Sequence, residues 1–177
     1  MARAKGIKLP QFKVPLFEHT TVFFCCNRDE FDCFCGNAGI PVDPSFDLCG
    51  GLTMTCTDET GANFYVVSVF DNKWSTLTHE LAHATFHVLG DVGVQAYTDD
   101  SHPSNETYAY MIGRMYECFE PVFNDYLERV ETERLNAQEA RDIANKAKDS
   151  HEPAKKGKRK PKAKEALVPR VMSFKRW

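Results

Sequence analysis

A chain of 177 residues, 42% hydrophobic and 27% charged, is long enough for one domain with a real core and an appendage besides. No apolar run approaches the ~20 residues that span a bilayer, and the basic start MARAKGIKLPQFKVP lacks the apolar stretch and small-residue cleavage site of a secretory signal. The expectation is a protein without membrane contact that stays in the cytosol where it is made. The net charge of −3 conceals two opposed parts. Residues 153–177 hold ten Lys and Arg against one Glu (+9), which leaves −12 on the other 152 residues.

In chain order, residues 1–14 read as a basic arm. TTVFFCC (20–26) is β-branched and aromatic, a strand, and GNAGIPVDP (36–44) follows as a turn-rich stretch with glycine and proline breakers. GGLTMTCT (50–57) alternates apolar and polar residues, DETGA (58–62) is a turn, and NFYVVSVF (63–70) is the strongest strand pattern present. These predict a hairpin with the first strand beside it. From Thr76 to Leu89 the period changes to that of a helix, with Ser75 or Thr76 as its cap and Gly90 closing it. After a loop rich in Asp, Ser and Pro, a second helix opens near Asn105. Its apolar stripe is expected at 109, 112, 116, 119, 123, 126 and 130, interrupted or kinked near Pro121. Residues 131–150 continue as a polar helix, and 151–177 form a basic, low-complexity tail.

Seven cysteines in a reducing cytosol are thiols or metal ligands rather than disulfides. Cys25, Cys26, Cys33 and Cys35 crowd into CCNRDEFDCFC, with Cys49 and Cys56 further on. The spacing lacks the two CxxC-like pairs of a compact structural zinc site. They read as small apolar core residues, with a second, thiolate-bound zinc as the alternative.

The stretch TLTHELAHATFHVLG (76–90) contains HELAH. On a helix, His79 and His83 lie one turn and about 40° apart, so both imidazoles can reach one Zn²⁺ while Glu80 takes a proton from zinc-bound water. The bland alternative is an amphipathic helix with surface histidines. A catalytic zinc needs a third protein ligand and an open position. Glu106, 23 residues after His83 at the start of the next helix, suits that role, with Ala109 and Gly113 small enough to let the helices approach. His87 and His102 are the competitors.

NFYVVSVF, THELAHATFHVLGDVGV and ETYAYMIGRM together resemble the small zincin-like metallopeptidases of tailed bacteriophages, and more widely the gluzincins, over roughly residues 50–120. The resemblance implies an α+β zincin-like domain over residues 15–130. In it a small antiparallel sheet packs on an HExxH active-site helix and a second, Glu-bearing helix. It implies one zinc held by His79, His83 and Glu106, Glu80 as general base, and a peptide or protein substrate. Tyr110 stands where many gluzincins carry an acidic residue, and Phe86 where metzincins carry glycine. Orientation of the ligands would then fall to Asp91, Asp99 or Asp100. An extended substrate could pair with strand 63–70, and Tyr97, His102, Tyr108 and Tyr110 are oxyanion candidates.

In the tail, Lys155, Lys156, Lys158, Arg159, Lys160, Lys162 and Lys164 suit phosphate backbones or an acidic partner without sequence readout; a solvated, solubilising tail is the plain alternative. LVPRVMSFKRW regains apolar residues, as a docking peptide would. A rival reading follows, a catalytically silent zincin-fold component of a phage particle, anchored by the tail to a partner assembly or nucleic acid. Either reading places the protein in the cytoplasm of the bacterial host or in the virion.

Overall fold

Strand alternation sends successive side chains to opposite faces of a sheet, and here it builds two cores. The computed structural model describes residues 8–15, 20–96 and 103–150. Its strands are β1 (Gln11–Lys13), β2 (Thr21–Cys25), β3 (Gly51–Thr57) and β4 (Asn63–Val69), in the order β1-β2-β4-β3. Val22, Phe24, Tyr65, Val67 and Val69 enter one core with Phe12 and Val14. Phe23, Cys25, Phe64 and Val66 enter the other with Leu52, Met54 and Cys56. By the same alternation Gly51, Thr53, Thr55 and Thr57 turn from the second core toward the side of the first.

Each face is covered by helix. On the second core lies α1 (Arg28–Ala38), which buries Phe31 and Cys35. Its start is fixed locally: Asn27 accepts from the Glu30 N–H at 2.9 Å, while the Glu30 carboxylate accepts from the Cys26 N–H at 2.7 Å. It ends at Gly39, whose φ of 69° lies in the left-handed region. A short 3₁₀ turn, Pro44–Leu48, leads into β3. On the first core lie α2 (Trp74–Asp91) and α3 (Pro103–Ser150). Leu77, Leu81, Ala84, Val88 and Leu89 of α2 meet Tyr108, Met111, Met115, Phe119 and Phe123 of α3 in that core. The Phe24 ring stands 5.0 Å from Phe119 and 5.9 Å from Phe123.

The result is an α+β fold with a four-stranded mixed sheet and three helices. The sheet is not antiparallel as expected. β3 and β4 do form the predicted antiparallel hairpin, but β2 runs parallel to β4, with Val22 opposite Tyr65 and Cys25 opposite Ser68. The long connection through α1 and β3 permits this. β1 pairs antiparallel with β2, and Leu9 and Phe12 are buried, so the segment expected as a basic arm supplies a strand. α3 continues through Pro121, and its inner stripe is 108, 111, 115, 119 and 123, coinciding with the expected positions only at Phe119 and Phe123. Residues 131–147 are exposed throughout. Among the described residues, those up to 136 form one compact unit, and 137–150 belong to a second. Among the described residues no helix is long and apolar enough to cross a membrane.

Candidate metal centre

α2 is set against the sheet by its approach loop. Asp71 accepts from the Lys73 N–H at 3.1 Å and from the Thr76 hydroxyl at 3.0 Å. The helix start falls at Lys73, without a side-chain cap, rather than at the expected Ser75 or Thr76, and Asp71 braces the approach to it. Helix α2 ends at Asp91, past Gly90, with Gly93 taking the positive φ of 77°. Its inner stripe is fixed by Leu77, Leu81, Ala84 and Val88, and the 100° step of a helix then turns His79 and His83 outward. Both are exposed.

The two imidazoles meet there. Their Nε2 atoms are 3.0 Å apart, and the rings stand at 80° with centroids 4.6 Å apart. Two nitrogens bound tetrahedrally to one zinc at ~2.0–2.1 Å would lie roughly 3.3 Å apart. The 3.0 Å separation is that of a hydrogen bond between the two rings and lies about 0.3 Å short of the spacing a shared metal would set.

Glu80 turns the other way, onto the edge strand. It is 6% exposed. Its Oε2 accepts from Thr53 Oγ1 at 2.8 Å, and the same hydroxyl lies 2.9 Å from the main-chain oxygen of Glu80. Gly51 makes the close approach feasible. A Cβ there would stand 2.6 Å from Thr76 Cγ2, 2.8 Å from the Ser68 oxygen and 3.0 Å from Glu80 Cγ. Cys49, Gly50, Gly51, Ser75, Thr76, His79 and Glu80 line an open groove of about 520 Å³.

Glu106 is not brought to the histidines. It is exposed in the first turn of α3, roughly 160° around the axis from the inner stripe that Tyr108, Met111 and Met115 define. Ala109 and Gly113 share that outward side, and nothing lies within 4 Å of a Cβ at Gly113. Among the described residues no group of three or more His, Cys, Asp or Glu is placed to hold a metal. His87 stacks on Tyr65, centroids 6.2 Å apart. His102, Tyr97, Asp99, Asp100 and the basic tail lie outside the described residues.

The remaining candidates have other partners. Asp91 accepts from the Tyr65 hydroxyl and, at 2.7 Å, from Asn63 Nδ2. The Tyr65 hydrogen bond, then that of Asn63, holds its carboxyl below the usual range, while burial and Asp91 raise the Tyr65 phenol. Asp91 thus ties α2 to β4. Tyr108 donates to the Val94 oxygen at 3.1 Å and packs its ring 5.0 Å from Phe86. Tyr110 is 70% exposed and borders a small apolar cavity of about 130 Å³ with Leu89, Val94 and Met111. Neither tyrosine borders the groove. The proposed substrate strand also shifts. β4 is paired on both sides, so its backbone is spoken for, whereas β3 is an edge strand beside the groove.

All seven cysteines are free thiols. Burial pushes Cys25 and Cys26 up to about 12 and Cys35 up to about 11. Cys49 is exposed and borders the groove. Gly51, which lines the groove, and Thr53 and Asp71, which hold Glu80 and Thr76 beside it, are not singled out by the sequence. A signal existed for the first two: in GGLTMTC the positions facing away from Leu52, Met54 and Cys56 are all small or polar.

Comparison with known proteins finds no matching family model, no matching curated protein and no matching solved structure.

Proposed function

We propose that this chain is a zinc protein of the zincin-like metallopeptidase type, with His79 and His83 as metal donors and Glu80 as the base. The observation that supports it is the 3.0 Å approach of the two Nε2 atoms on an exposed helix face, beside a groove that His79 and Glu80 share. The fit to zinc is that of two donors. Glu106 is the third donor that the resemblance implies, and reaching the pair requires the first turn of α3 to rotate from the arrangement described. When bound, zinc supplies Lewis acidity and a water acidified toward neutrality. The chain's own residues do the rest. The free edge of β3 offers backbone groups to an extended peptide, and the Glu80 carboxylate accepts a proton and returns it to the leaving amine. Turnover of a peptide mixture by the zinc-loaded full chain, lost in Glu80→Gln with zinc retained, is the expected result. Loss of zinc in Glu106→Gln supports Glu106 as a donor; loss in a His87 or His102 variant instead replaces it.

A second reading has an observation in its favour. Glu80 is buried and hydrogen-bonded to Thr53, and Glu106 faces outward, as in a helix whose carboxylates serve packing and solvation. The chain would then be a silent component of a phage particle, held by its basic tail to an acidic partner or to nucleic acid. Removing residues 153–177 is expected to abolish that association while folding and zinc binding persist. Binding through phosphates would weaken with salt at a slope of about −0.7 to −0.9 per phosphate neutralised.

A further inference from the structure

We infer that Thr53 is a positioning residue for Glu80, and that the edge strand β3, through Gly51 and Thr53, is built as a seat for that carboxylate. The inference deepens the peptidase reading and rests on it for its catalytic consequence.

Gly51 and Thr53 are two apart on one strand and therefore share a face. On that face the sheet changes character. β2 and β4 present Val22, Phe24, Tyr65, Val67 and Val69 to the first core, whereas β3 presents glycine and threonine. A carboxylate buried over Val or Phe at this position would lose its water without replacement. Over Thr53 it gains a donor at 2.8 Å, and over Gly51 its Cγ finds the space a Cβ would fill.

The hydroxyl has one proton and two acceptors within reach, Oε2 at 2.8 Å and the Glu80 main-chain oxygen at 2.9 Å. If the carboxylate swings off the strand toward the groove, the proton of Thr53 turns to the main-chain oxygen. No buried donor is orphaned by the swing, so the usual penalty for breaking a buried hydrogen bond is avoided. Glu80 therefore has a defined resting position from which it can leave, and Thr53 serves both ends of the movement. Valine, of the same shape, would bury the carboxylate against two methyl groups and supply neither bond.

The test compares wild type with Thr53→Val, Thr53→Ser and Thr53→Ala in the full chain. Three-bond couplings that report Glu80 χ1 and χ2, assigned with Glu80→Gln, are read by NMR without reference to activity. Wild type and Thr53→Ser are expected to show one dominant rotamer, and Thr53→Val and Thr53→Ala rotamer averaging. On peptide substrate, Thr53→Val is expected to lower kcat about 10- to 100-fold with KM within about twofold, and serine to restore it. If the valine variant does not fold, the smaller alanine carries the comparison. Unchanged Glu80 rotamers in both hydroxyl-free variants would overturn the inference. So would altered rotamers in the serine variant, or full kcat without the hydroxyl. A wild type inactive on every peptide counts against the peptidase reading alone, and the couplings then decide for Thr53.

Discussion

The two faces of the sheet are built by the same alternation from different material. One carries Val, Tyr and Phe under α2 and α3, a continuous aliphatic and aromatic core. The other carries Phe, Val, Met and two cysteines, Cys25 and Cys56, under α1, which adds Cys35. Neither centre offers accessible chemistry. The chemistry gathers at β3, where the first face runs out of apolar residues and meets the start of α2. Position in a core and exposure at its border are decided by single steps of the strand.

The largest way to break this contrast is at the middle of the first face. Phe119→Ala removes a fully buried ring packed on Phe24, and a loss of about 3–5 kcal/mol is expected in denaturant unfolding. Tyr110→Ala, on the outward side of the same helix, should stay within about 0.5 kcal/mol. A comparable loss at both positions would mean the inner stripe of α3 is misassigned.

Gly51→Ala probes the border itself. The added methyl meets the Ser68 backbone oxygen at 2.8 Å, and backbone yields poorly, so a loss of about 1–3 kcal/mol is expected. Zinc affinity through the outward histidines should change far less than stability. Equal effects on both would show that the pair depends on the seat.

Asp91 sharpens the comparison through pH. Its carboxyl is lowered by its hydrogen bonds from Tyr65 and Asn63. The stability it contributes is present above the unfolded value of 3.8 and is lost as pH falls through the depressed folded value. Acid titration of stability should therefore be shallower below pH 4 in Asp91→Asn than in wild type.

The buried cysteines, Cys25 on the second face and Cys26 in the first core, give the smallest effect near neutral pH. Cys25 and Cys26 ionise only near 12 when folded, against 9 when free, so their contribution is intact below pH 9 and is lost between 9 and 12. At pH 8 an alkylating reagent should modify exposed Cys49 first and reach Cys25, Cys26 and Cys35 only as the chain opens. Prompt labelling of those three would contradict their burial.

Much of the frame was legible because it rests on local pattern. The β3–β4 hairpin and α2 follow from period and turn residues, and HELAH supplies its own geometry once the helix exists. What was not legible depended on partners distant in sequence. The parallel pairing of β2 with β4 cannot be read from either strand. α1 is hard to read from DEFDCFCGNA, which has little apolar period, although Asn27 and Glu30 form a start signal three residues apart. Spacing along the chain points to Glu106 but does not fix the rotation of α3. That rotation is set by Tyr108, Met111 and Met115, not by the expected Ala109, Ile112 and Tyr116.

The most direct test is zinc binding by the full chain, measured by calorimetry and elemental analysis in wild type, His79→Ala, His83→Ala and Glu80→Gln. One zinc per chain in wild type and in Glu80→Gln, lost in both histidine variants, is the predicted result. No zinc in wild type, or zinc retained when either histidine is removed, would contradict the metal centre.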